Sequence, residues 1–115
     1  MRSILAKLNK TQGVRGSMVV NRDGIVVASE FSFDADEAGI GAIASSILAA
    51  LDGAVKRIQL GKLKRFTLAG SECKMLIVDA GPALLLVVLQ RDVNMGLVNF
   101  EIKEAANQVV EKAKM

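Results

Sequence analysis

The 115-residue chain has no histidine, tryptophan or tyrosine, four phenylalanines, one cysteine and one proline. Without histidine it lacks the commonest general base and metal ligand, and a single thiol cannot assemble a zinc site. Metal and cofactor chemistry are therefore not expected. Cys73 has no internal disulfide partner, which suits a reducing cytoplasm, and its flanks suggest a small apolar residue opening a strand. A net charge of +3 with so few aromatic rings gives little support for a nucleic-acid role.

Long apolar runs are also missing. The longest uncharged stretch, Ala38 to Leu51, has 14 residues, too few to span about 30 Å of hydrocarbon, so direct membrane insertion is not expected. Residues Met1 to Lys10 intersperse Arg2, Lys7 and Lys10 among apolar positions and carry no export signal. No nucleophile elbow surrounds Ser17, Ser45, Ser46 or Ser71. A phosphate loop is absent too, because Gly39-Ile40-Gly41 reads as helix and Gly13 to Gly16 lacks the lysine. The densest acidic group, Asp34, Asp36 and Glu37, is explained by helix capping. No residue is assigned a catalytic role, and the chain is not expected to be an enzyme.

What the chain does have is apolar surface. Hydrophobic residues make up 51%, and the mean hydropathy is +0.37 in 12.2 kDa. That size suits one domain over residues 1–115, and a single small domain rarely needs so much apolar surface for itself. A partner subunit is one place to bury the surplus.

Local patterns give the order α-β-β-α-β-β-β-α. Ile4, Leu5 and Leu8 mark a first helix over Ser3 to Asn9. Gly16 to Val20 and Ile25 to Ser29 form a hairpin around Asp23-Gly24. A capping-box-like Asp34 with Glu37 predicts a long helix from there to about Leu60, closed by a left-handed Gly61. Strands follow at Lys62 to Ala69, Cys73 to Asp79 and Ala83 to Leu89. The third of these is apolar throughout and should be covered on both faces, whereas the charges of the first suit a sheet edge. Asn94 caps a last helix to about Ala113, with Val98, Ile102, Ala105, Ala106, Val109 and Ala113 as its buried stripe.

The long helix divides into three sectors. Ile40, Ile43, Ile47, Leu51, Ala54 and Ile58 are expected to face the sheet. Gly39, Ala42, Ser46, Ala49, Ala50 and Gly53 form a line of small residues, and Gly41, Ser45, Asp52, Lys56 and Gln59 a polar third for water. Each glycine costs about 1 kcal/mol against alanine inside a helix, so the small line implies close approach of another backbone. That neighbour is the same helix of a second copy, in a two-fold homodimer, or the chain's own last helix. A basic group, Lys56, Arg57, Lys62, Lys64 and Arg65, spans the helix end and the edge strand. It matches the helix dipole and solvates the edge, and could also meet an acidic partner.

Several phrases stand together: Gly13-Val14-Arg15-Gly16 before Met18-Val19-Val20, Asp23-Gly24-Ile25-Val26-Val27-Ala28, and Asn94-Met95-Gly96-Leu97-Val98 with Glu104-Ala105-Ala106 beyond. With the small-residue helix between them, the whole chain resembles the roadblock / dynein light chain family. The resemblance implies an α+β fold, a five-stranded antiparallel sheet with helices on both faces, of roadblock (profilin-like, longin-like) architecture. It further implies a homodimer in which the long helices lie side by side through Gly39, Ala42, Ser46, Ala49, Ala50 and Gly53. The third strands, through Leu63, Arg65 and Thr67, would then pair into one continuous sheet.

Such proteins are non-enzymatic platforms for small Ras-like GTPases, some stimulating GTP hydrolysis, or adaptor subunits that tether motor or membrane complexes regardless of nucleotide. The lean single-domain form looks more like the prokaryotic members. Exposed parts of the long helices, Ser45, Asp52, Lys56 and Gln59, are the expected GTPase contacts. Arg15, Arg57 and Arg65 match no arginine-finger motif. A small-molecule sensor, also possible on related folds, would recognise polar ligands poorly without His, Trp or Tyr.

Overall fold

The computed structural model describes residues 1–113, in the expected element order: α1 (Arg2–Asn9), β1 (Val14–Asn21), β2 (Val26–Phe31), α2 (Glu37–Arg57), β3 (Arg65–Ala69), β4 (Cys73–Ala80), β5 (Ala83–Gln90) and α3 (Met95–Ala113). All neighbouring strands are antiparallel, in the sheet order β2-β1-β5-β4-β3. The β1–β2 hairpin turns as expected on Gly24, at φ +88°, and Asn21 Oδ1 accepts from the backbone N–H groups of Asp23 and Ile25.

Strand β5 shows why an all-apolar run sits at the centre. Leu85, Val87 and Leu89 join one core with α1 and α3, which supply Ile4, Leu5, Leu8, Val98, Ile102 and Val109. Leu84 and Leu86 point the other way, into a second core with Met18, Val20, Ile77 and, from α2, Ala44 and Leu48. The period-two alternation thus feeds two layers at once. Ser17, the one polar residue wholly buried among the described residues, donates to Asn9 Oδ1 at 2.7 Å, and Asn9 Nδ2 donates to the Glu30 carbonyl at 2.8 Å.

Four expectations need correction. The N-cap of α2 is Asp36, accepting from the Gly39 N–H at 3.2 Å, and not Asp34. Glu37 does not close a capping box, because with Asp36 as the cap it stands at the first helical position and Gly39 at the third; its Oε2 accepts from Ser29 on β2 instead. At the other end α2 stops at Arg57, and the left-handed residue that closes it is Gln59, at φ +60°. Leu60 N–H bonds the Val55 carbonyl and Gln59 N–H the Lys56 carbonyl, the two bonds of a Schellman motif with glutamine where glycine is usual. Gly61 is also left-handed, at φ +90°, so the chain is still turning and β3 begins at Arg65 instead of Lys62. Ala113 is exposed and closes no stripe.

Candidate interaction surface

The outer side of α2 is the largest departure from an ordinary amphipathic helix. The line that meets the sheet is Gly41, Ala44 and Leu48, rotated by a little under one residue from the expected one. Ile40, Ile47 and Leu51 are half-buried, Ala54 lies outside, and Ile43 and Ile58 are 60% and 66% exposed. The cause is a backbone contact that local periodicity does not encode. A Cβ on Gly41 would lie 2.7 Å from the Gly24 carbonyl oxygen, so the hairpin tip sits directly on the helix. Gly41 is therefore buried and not part of a face for water.

That contact accounts for one of the helix glycines within the subunit. Gly39 is half-buried, with its own cap Asp36 packed against it. Gly53 has nothing within 4 Å of where a Cβ would stand. Ala42, Ser46, Ala49, Ala50 and Gly53 are all exposed, and the Ser46 hydroxyl is turned back onto the Ala42 carbonyl at 3.0 Å. The small line thus points away from the sheet with almost no hydrogen-bonding capacity left for water. The alternative in which α3 covers it does not hold, because α3 packs with α1 on the other side of the sheet.

By length and composition α2 could cross a bilayer: its 21 residues include a window of mean hydropathy 1.7, only 17% of it buried. This goes beyond the 14-residue uncharged stretch, because the helix continues through Asp52. Here, however, its inner line is packed on Met18, Val20, Ile77, Leu84 and Leu86.

The polar third is largely occupied. Ser45 is half-buried and donates to the Arg22 carbonyl at 2.6 Å. Asp52 pairs with Lys56 at 3.1 Å, one turn apart, and Gln59 is exposed beyond the helix end.

Strand β3 forms one edge of the sheet. Arg65 and Thr67 are exposed, and Arg65 donates to Asn99 Oδ1 on α3 at 2.6 Å. Leu63, just before the strand, faces inward against the α2-side core. Asp79, whose side chain is 7% exposed, binds Lys62 at 3.2 Å and Arg22. Burial alone would raise its pKa. The Lys62 hydrogen bond, the Arg22 guanidinium and the Gly81 N–H more than offset this and hold it below the ordinary carboxylate range. Among the described residues no group of three or more His, Cys, Asp or Glu could hold a metal.

Sequence reasoning found the small line and the β3 edge. It missed the hairpin-to-helix contact and the exposed Ile43 and Phe33, the latter paired with Phe31 at a ring separation of 5.3 Å. Two glycines, Gly24 and Gly41, were the available signal for that contact, but nothing local pairs them.

The chain matches the model of the Roadblock/LC7 domain over residues 2–90. It is 39% identical over 106 residues to an uncharacterised protein of Methanocaldococcus jannaschii, covering 92% of this chain and 93% of the relative. In structure it is similar to a Roadblock/LC7 domain from Streptomyces avermitilis, with a TM-score of 0.92 at 14% identity and coverage of 100% and 98%. It is similar also to the gliding protein MglB from Thermus thermophilus, with a TM-score of 0.90 at 19% identity and coverage of 98% and 87%.

Proposed function

Because the chain belongs to the Roadblock/LC7 family, we propose that it is a non-enzymatic homodimeric platform for a small Ras-like GTPase, working in the cytoplasm. The carrying observation is the outer line of α2, small and uncovered within the subunit. A two-fold copy laid along Gly39, Ala42, Ser46, Ala49, Ala50 and Gly53 buries that line. It also brings together the β3 edges, with Arg65 and Thr67 exposed there and Leu63 supporting from within. The fold shared with a gliding protein is in keeping with a GTPase-regulating or an adaptor role.

The GTPase docks beside the paired helices, through Asp52, Lys56 and Gln59, with Ser45 setting the position of the adjoining hairpin. No arginine is assigned as a finger, so any stimulation of hydrolysis comes from reshaping the GTPase itself. The test is capture on the immobilised protein from lysate loaded with GTPγS or GDP, read by mass spectrometry. A small GTPase enriched in one nucleotide state is expected. Recovery of none sinks the reading, and nucleotide-insensitive recovery favours an adaptor that tethers complexes.

A further inference from the structure

We infer that the turn joining α2 to β3 is a docking surface for an anionic lipid bilayer. Residues Lys56 to Arg65 contain five Lys or Arg and no acidic side chain. The remaining ten Lys and Arg face all twelve Asp and Glu, so the rest of the chain nets −2 while this decapeptide carries +5. Within it Leu60 is 70% exposed, the most exposed large apolar side chain among the described residues, and Ile58 is 66% exposed. Gly61 has nothing within 4 Å of a Cβ position, so the turn stands clear of the body.

The turn is also fixed. The Leu60 and Gln59 backbone bonds to the helix end, and the Lys62 pairing with Asp79, hold it from both sides. Arg57 and Lys64 form no ion pair among the described residues, leaving both for an outside anion.

The composition decides between kinds of partner. Protein interfaces favour aromatic residues, Met and Arg and are depleted in Lys, whereas this turn has three Lys and no aromatic. Two aliphatic tips on a protrusion need no complementary pocket in a bilayer. They enter the acyl boundary while the long cationic side chains stay at the phosphates. The helix itself remains on the sheet, so the protein lies on the membrane and does not span it. Lys56 and Gln59 are shared with the proposed GTPase contact and Arg65 with the proposed β3 seam, so the bilayer contact rests on Arg57, Ile58, Leu60 and Lys64, none of which that reading uses.

The test is co-sedimentation of the full chain with vesicles of phosphatidylcholine, alone or with one third phosphatidylglycerol. Capture by the anionic vesicles only, weakening as salt rises, is expected. Arg57→Glu with Lys64→Glu should weaken capture at least about tenfold, and Ile58→Ser with Leu60→Ser several-fold. Because the chain has no Trp or Tyr, Leu60→Trp reports the turn alone. Its emission should shift to the blue with anionic vesicles, while Phe100→Trp on α3 should not respond. The inference is overturned by no capture, by equal capture on neutral vesicles, or by full capture of the Ile58→Ser, Leu60→Ser variant. An unshifted Leu60→Trp together with tight binding of soluble polyglutamate would give the turn to an acidic polypeptide instead.

Discussion

The two faces of the sheet are built to different degrees of completion. Under α1 and α3 lie seventeen buried residues in one continuous core, and under α2 only seven. The first face is closed by two helices whose buried stripes pack on the sheet and on each other. The second is closed by one helix that spends Gly41, Ala44 and Leu48 inward and keeps an equally apolar line outward. Stability therefore resides mainly on one side, and the capacity to associate on the other.

Substitutions can break this contrast. Ile102→Ala, in the closed core, should lower the unfolding free energy by about 2–5 kcal/mol in urea denaturation, whereas Ile43→Ala on the open side should stay within about 0.5 kcal/mol. Gly41→Leu drives the hairpin off α2 and should cost about 1–3 kcal/mol; a smaller loss than for an exposed control such as Ala38→Leu would mean that the contact is loose.

Asp79→Asn should cost about 1.5 kcal/mol at neutral pH. The folded pKa of Asp79 is lowered, so its contribution is complete above the unfolded value near 3.9 and disappears as pH falls through the folded one. Wild type and variant should converge in acid, and a constant gap in pH-dependent melting would contradict this. Gln59→Gly should raise stability by about 0.5–1 kcal/mol, since glycine takes φ +60° without strain. Gly53→Phe should change the subunit's own stability least, within about 0.5 kcal/mol, yet abolish the proposed dimer in sedimentation velocity, with Lys112→Ala as the unaffected control.

The parts of the fold legible in the sequence are those decided by neighbours along the chain. The Asp23-Gly24 turn, the apolar β5 run and the Val98 to Val109 stripe each carry their own explanation, and each lies where expected. The start and facing of α2 were decided from a distance. Asp36 caps the helix, which leaves Glu37 at its first position, bonded to Ser29 of β2, and Gly24 rotates the helix by claiming Gly41. Its end escaped notice for another reason: glutamine is a poor guess for a left-handed position, and only the surrounding bonds enforce it. For the surface, the composition of the small line was readable, but that α3 leaves it bare required the topology.

The Arg22 turn has a mechanical consequence. Its carbonyl is gripped by Ser45 near the middle of α2, and its guanidinium grips Asp79, which in turn holds Lys62 just past the helix's exit. Helix, hairpin tip and exit segment thus form a closed belt. Displacing that helix relative to the hairpin tip or to its own exit segment therefore has to break at least one of these three contacts.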